Sequence, residues 1–148
     1  MPEQNAAVVN RFIDEVCNAR QLDAADHLFA ADHRYHDPSN PWVGPGPQGM
    51  KLLMGGYHNA FGDARWEIEE TILAGDRVIT RWFARGTHSG VLQGVEPTRK
   101  TVEVVGIWIF RIANGKIAES WNVWDTFGMM YQLGILSSVG IAGSRATS

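Results

Sequence analysis

The hydrophobic positions change period once along the chain, and that change divides it in two. In the first half they recur at helical spacing. Val8, Val9, Phe12, Ile13, Val16 and Cys17 form one apolar face behind Asn5, a candidate N-cap. Leu22, Ala25, Leu28 and Phe29 repeat the pattern in a second helix. His33 to Asp37 reads as a short strand stopped by Pro38, and Pro38, Pro41, Gly44, Pro45, Gly46 and Pro47 make the next stretch a loop. A third helix places Met50, Leu53, Met54, Tyr57 and Phe61 on one face, weakened at Gly55 and Gly56 by about 1 kcal/mol each relative to alanine.

From Arg65 the pattern alternates. Trp66, Ile68 and Ile72 fall on one face of a strand and Arg65, Glu67 and Glu69 on the other. Ala74-Gly75-Asp76 turns the chain into a strand from Val78 to His88. A loop marked by Gly90, Gly94 and Pro97 leads to a strand from Thr101 to Ile112, and Asn114-Gly115 turns it into a last strand, Ile117 to Thr126. Phe127 to Leu136 reads as a short helix. The expected architecture is one α+β domain over residues 1–136, helices followed by a four-strand antiparallel meander, with a frayed tail at 137–148. The Thr101–Ile112 strand is apolar on both faces, so its second face needs a cover. A homodimer through Val105, Ile107 and Ile109 supplies one.

Composition narrows the function. A length of 148 residues suits one core without staples. A net charge of −3 with no Lys/Arg cluster argues against nucleic acid. No apolar run approaches a membrane span and the first residues carry no secretory signal, so the default location is cytoplasmic. Cys17 is the only cysteine, which excludes an internal disulfide, and its place on an apolar helix face marks it as core. His33 and His36 point to opposite faces of their strand. With His58 and no thiolate cluster, no metal site is expected. No glycine-rich phosphate loop opens a helix, so no nucleotide cofactor is expected either. Six tryptophans and six phenylalanines instead fit a core or a pocket for an apolar small molecule.

Counting registers outward from the turns pairs Asp125 with Val104 and Val104 with Ala84, on a face shared with Trp82, Gly106, Trp108, Phe110, Trp121 and His88. An aspartate among tryptophans is the sharpest chemical signal, because desolvation makes a carboxyl a usable acid or base. The competing reading is that Asp125 ends the strand and caps the turn near Thr126 and Gly128. His88 is either a donor to a substrate oxygen or a satisfied loop histidine. Arg81 and Arg85 alternate onto the face opposite Trp82, toward solvent or an interface.

Several segments then resemble one family. Gly86-Thr87-His88-Ser89-Gly90 followed by Pro97-Thr98, and Gly115-Lys116-Ile117-Ala118-Glu119-Ser120-Trp121 followed by Asp125 and Gln132-Leu133-Gly134, resemble stretches of the SnoaL-like polyketide cyclases, as do His36-Asp37-Pro38 and Phe61-Gly62-Asp63. Arg99 departs from the glycine usual after "PT". The resemblance implies a cone like that of nuclear transport factor 2, no cofactor, and acid/base closure of a ring by an intramolecular aldol step or a related isomerisation of a hydrophobic carbonyl compound. It implies Asp125 as the acid/base and His88 near the substrate carbonyl. His36, Trp42, Tyr57, Phe61, Trp82, Trp108 and Trp121 complete the expected substrate-binding set. Non-catalytic binding of an apolar metabolite, and epoxide-hydrolase or dehydratase chemistry on the same cone, are the alternatives.

Overall fold

The computed structural model describes residues 2–136; the expected tail at 137–148 lies outside them. Helix α1 (Pro2–Arg11) continues as π-helical turns over Phe12–Asn18. It starts three residues before the expected cap, Asn5, with Glu3 in its first turn. Its buried side chains, Val9, Phe12, Ile13, Val16 and Cys17, belong to the face that the spacing predicts. The second helical segment is shorter than expected. A 3₁₀ turn (Leu22–Ala24) leads into α2 (Ala25–Leu28), and Phe29 already belongs to strand β1 (Phe29–His36). Helix α3 spans Gly46–Ala60, with Pro47 in its first turn where the missing amide costs nothing. Strands β2 (Arg65–Ala74), β3 (Arg77–Thr87), β4 (Thr101–Ala113) and β5 (Lys116–Trp124) follow, then helix α4 (Thr126–Gln132).

The sheet has five strands in the order β1-β5-β4-β3-β2, one more than the meander alone. The meander β2 to β5 is antiparallel. β1 joins it as a parallel neighbour of β5 and makes the sheet mixed. A parallel neighbour needs a long crossover, and α3 together with β2 to β4 provides it. No described helix is long and apolar enough to cross a membrane.

Helices α1 and α3 close the concave face. Phe12 is the pivot of the core: its ring meets Phe29 edge-on at 5.0 Å and Trp108 at 5.3 Å, and Trp108 stacks on Phe110 at 5.1 Å. Removing such a fully buried ring costs about 3–5 kcal/mol. The other face of β4 and β5 stays open, with Val105, Ile107 and Val123 each 44–64% exposed.

The register between β4 and β5 decides which side chains enter the cone. Near the turn, Ala113 pairs with Lys116 and Ile112 with Ile117, but the next pair is Arg111 with Glu119. Ala118 is skipped, a one-residue bulge. Beyond it Phe110 faces Ser120, Trp108 faces Asn122 and Gly106 faces Trp124. Ser120, Asn122 and Trp124 therefore point inward, and Trp121, Val123 and Asp125 do not. A one-residue slip moves every side chain to the opposite face. This corrects the register counted from the turn, which omitted the bulge.

His33 and His36 lie on opposite faces of β1. His33 is buried, with Nε2 3.0 Å from Ser120 Oγ and its ring against Phe29 at 4.7 Å. Burial holds its pKa down at about 4, with a smaller contribution from the nearby His36. An unfolded histidine titrates near 6.5, so between these values the unfolded chain binds the extra proton. Stability from the neutral ring is complete above pH 6.5 and is lost as pH falls toward 4, by up to about 3 kcal/mol. Urea unfolding from pH 7.5 to 4 should show this decline, and His33→Gln should flatten it. An equally steep profile in the variant would place the titration elsewhere.

Candidate functional site

The concave face encloses a chamber of about 60 Å³. Its walls come from β1 (Tyr35), the turn after it (Asp37), α3 (Leu53, Met54, Tyr57), the inward positions of β2 to β5, and Arg85 of β3, whose exposed side chain pairs with Glu103 at 3.4 Å. It is almost wholly apolar, and its polar groups gather on one side. Trp82 Nε1 donates to Asn122 Oδ1 at 3.1 Å, Asn122 Nδ2 donates to the Tyr35 hydroxyl at 3.1 Å, and that hydroxyl donates to Asp37 Oδ2 at 2.7 Å. Trp124 Nε1 and Asn40 Nδ2 also donate to Asp37 Oδ2, at 3.2 and 2.9 Å. The Ser39 amide donates to Oδ1 at 2.8 Å. Indole N–H can only donate, which fixes the orientation of Asn122 and sends the tyrosine proton toward Asp37. Asp37, 5% exposed, is the end point of this wiring, and Oδ1 keeps acceptor capacity beyond the Ser39 contact.

Gly106 makes the crowding at this wall feasible. A Cβ there would lie 2.6 Å from the Trp82 ring and 2.7 Å from Trp124 Cβ. Tyr57 stands opposite, edge-on to Trp124 at 5.9 Å. Its hydroxyl accepts from Asn40 Nδ2 at 3.0 Å, which leaves its own hydrogen free to donate. Burial is the main cause that pushes its pKa up to about 12, so the phenol stays protonated at neutral pH. Burial likewise raises Tyr35, next to the Asp37 carboxylate.

Of the residues singled out in the sequence, Tyr57, Phe61, Trp82 and Trp108 line the chamber. The Trp108 indole nitrogen is buried without a hydrogen-bond partner among the described residues. Trp121 and His36 are on the outer face, stacked at 5.4 Å, with the His36 ring 2.7 Å from Glu119 and the Arg77 guanidinium over Trp121. Trp42 is 54% exposed and lines a separate outer hollow. His88 is fully buried but is absent from the chamber wall. Its Nδ1 accepts from the Thr98 amide at 3.1 Å, so Nε2 carries the hydrogen, and the ring anchors the loop that leads to β4.

Asp125 is exposed and is the N-cap of α4, accepting from the Gly128 amide at 2.8 Å. Its own amide donates to Val105, not to a pocket-facing position. The capping alternative describes where the side chain sits. A side chain at Gly128 would collide with the Asp125 carboxylate, so the cap and the glycine go together. Asp125 and His88 thus do not meet in the chamber. Burial also raises the Cys17 thiol well above its ordinary value, in keeping with a core residue.

The residues that sequence reasoning missed are Asp37, Tyr35, Asn40, Asn122 and Trp124. One signal was available. The unbulged register puts Glu119 opposite Phe110, which is fully buried, and an unpaired carboxylate does not belong there. Adding one residue before Glu119 removes the conflict and turns Asn122 and Trp124 inward.

The family model for SnoaL-like polyketide cyclases matches residues 7–133. IdmH from Streptomyces antibioticus, described as a candidate polyketide cyclase, is 29% identical with a TM-score of 0.77, over 88% of this chain and 99% of that one. AclR from Streptomyces galilaeus, described as a candidate hydroxylase, is 25% identical with a TM-score of 0.80, over 93% and 100%. TsrD from Streptomyces laurentii shares the fold at a TM-score of 0.82 and 24% identity, over 92% and 98%. No curated protein matches the chain in sequence.

Loss of the cap should be a stability effect. Asp125→Ala should cost about 1 kcal/mol in urea unfolding while Asp125→Asn, which can still cap, costs a few tenths. A loss of several kcal/mol would show that Asp125 has buried partners.

Proposed function

The chain belongs to the SnoaL-like polyketide cyclase family, and from that premise we propose that its chamber closes a ring in an apolar, carbonyl-containing small molecule by acid/base catalysis, with Asp37 as the base. One observation carries the reading: Asp37 is the carboxylate in the wall of a largely apolar chamber. Asp37 Oδ1 accepts a proton from the carbon next to a carbonyl. The Tyr57 hydroxyl donates to the enolate oxygen that forms, and low dielectric strengthens that bond. The enolate carbon attacks a second carbonyl held nearby in the same molecule. A carbon–carbon bond forms, and the new alkoxide takes the proton back from Asp37. Proximity of the two ends supplies much of the rate. This reading assigns to Asp37 the role that the resemblance implies for Asp125, because Asp37 reaches the chamber and Asp125 caps a helix.

A second reading, plain binding of an apolar metabolite, draws on the density of donors around Asp37. Three donors converge on Oδ2, as they would around a carboxylate that only orients a ligand. Turnover separates the two. On a flexible poly-β-ketone, Asp37→Asn should lower kcat by about 10²–10⁴ with affinity nearly intact, while Asp125→Asn keeps wild-type turnover. Full turnover in Asp37→Asn removes it from the mechanism. No turnover in the wild type across such substrates favours binding.

The apolar stripe of Val105, Ile107 and Val123 on the outer face supports a second proposal, that the cover is another copy of this chain. Sedimentation at micromolar concentration should give a dimer that Ile107→Glu dissociates. A wild-type monomer would sink it.

A further inference from the structure

At about 60 Å³ the chamber has room for the reacting carbonyl end of a substrate but not for the rest of it, since a cavity of about 150 Å³ is what holds a single benzene ring. A second hollow of about 150 Å³ lies beside it and shares two of its walls, Leu53 and Tyr57. Its other sides are Trp42, Leu52, Gly56, Val91, Leu92, Gln93 and Asn40. Most of these are apolar, and Trp42 offers a broad ring at the surface.

Asn40 is the distinctive member. It is 1% exposed, and both hydrogens of its amide are used, one on Asp37 and one on the Tyr57 hydroxyl. A carboxylate can only accept, so the nitrogen must face Asp37. The carbonyl Oδ1 is then an acceptor, and among the described residues it is buried without a donor, so a ligand must push aside the atoms that cover it to reach it. Leaving such a group unpaired is costly, and a native structure that does so usually expects a partner from outside the chain. Gln93, the other polar wall, is exposed and free to choose its partner from solvent.

We propose that the outer hollow is a second subsite, which takes a ring bearing a hydrogen-bond donor, a phenol or a cyclic alcohol, with the ring against Trp42 and the hydroxyl donating to Asn40 Oδ1. The proposal rests on the reading of the inner chamber as the reaction site only in naming what the far end of its substrate looks like. A molecule with an apolar, carbonyl-bearing end in the chamber and a hydroxylated ring outside it would use both hollows. Asn40 would then touch all three of substrate, base and acid, because its amide nitrogen already holds Asp37 and Tyr57. A donor on Oδ1 polarises that amide and strengthens both of its own donated bonds.

Equilibrium binding of p-cresol and 4-methylanisole tests this directly. The two differ in the donor, and ¹⁵N spectra of the tryptophan indoles and the Asn40 side-chain amide locate them. p-Cresol should bind about fivefold more tightly, the value of one neutral hydrogen bond, and should shift the Trp42 and Asn40 signals. Gly56→Leu fills the hollow. A Cβ there meets nothing within 4 Å, so the backbone leaves room for a side chain to start. It should weaken p-cresol binding by about tenfold or more. Trp42→Ala, at an exposed position, should weaken it as well, and it gives the result if Gly56→Leu does not fold. Equal affinities for the two probes would overturn the role of Asn40. Shifts confined to the Trp82 and Trp124 indoles, or binding untouched by both substitutions, would overturn the subsite. None of these readouts needs turnover. An inactive chamber with intact p-cresol preference would therefore count against the catalytic reading alone.

Discussion

The unpaired Ala118 sets the chemistry of the cone. It is skipped in the ladder with β4, and the pairing of β5 with β1 passes over it too, from Ile117 to Glu119. Before the bulge, Ile117 faces the core. After it, Ser120, Asn122 and Trp124 do. Without the extra residue the inward row would be Glu119, Trp121, Val123 and Asp125. That row would bury a charge beside Phe110 and expose the indole that now binds Asp37. The bulge lets one strand satisfy two demands: a polar wall in the chamber and the Glu119–Arg111–His36 cluster outside, with contacts of 3.3 and 2.7 Å.

The wall depends on a second constraint, the one-way character of its donors. Indole N–H groups at Trp82 and Trp124 cannot accept, and a carboxylate cannot donate. Between these limits the amide of Asn122 and the hydroxyl of Tyr35 have one consistent arrangement, and Asp37 is where it ends. Such a network is valuable only when complete, because low dielectric makes each unpaired member expensive. Gly106 keeps it complete by yielding the space in which Trp82 and Trp124 approach each other, 6.4 Å between ring centres. The same logic makes Oδ1 of Asn40 and Nε1 of Trp108, both without a partner among the described residues, conspicuous beside this network.

The aromatic core and the chamber are continuous. Trp108 belongs to both: one side of it packs on Phe12 and Phe110, and its neighbours Trp82 and Tyr35 form the polar wall. Packing that stabilises the fold therefore also holds the site rigid. A substitution at Phe12 would reach Asp37 through Trp108 and Tyr35, in three contacts.

The change from helical to alternating period determined the α+β class, the turns at Gly75 and Gly115 determined the meander, and the ordered motifs from Gly86 to Gly134 determined the family. These are local patterns, and local chemistry dictates them: side-chain spacing, the positive φ of Gly75 and Asn114-Gly115, the capping ability of an aspartate. Tertiary structure decided which face β5 presents. It moved Trp121 and Asp125 outward, brought Asp37 from a turn 87 residues away in the chain up to Trp124, and added β1 to the sheet. A turn fixes the first pairs of a hairpin but not a bulge farther along, because the bulge is stabilised by burial on the two faces and not by the turn. The parity of every later residue follows from that balance, which exists only once the core has formed.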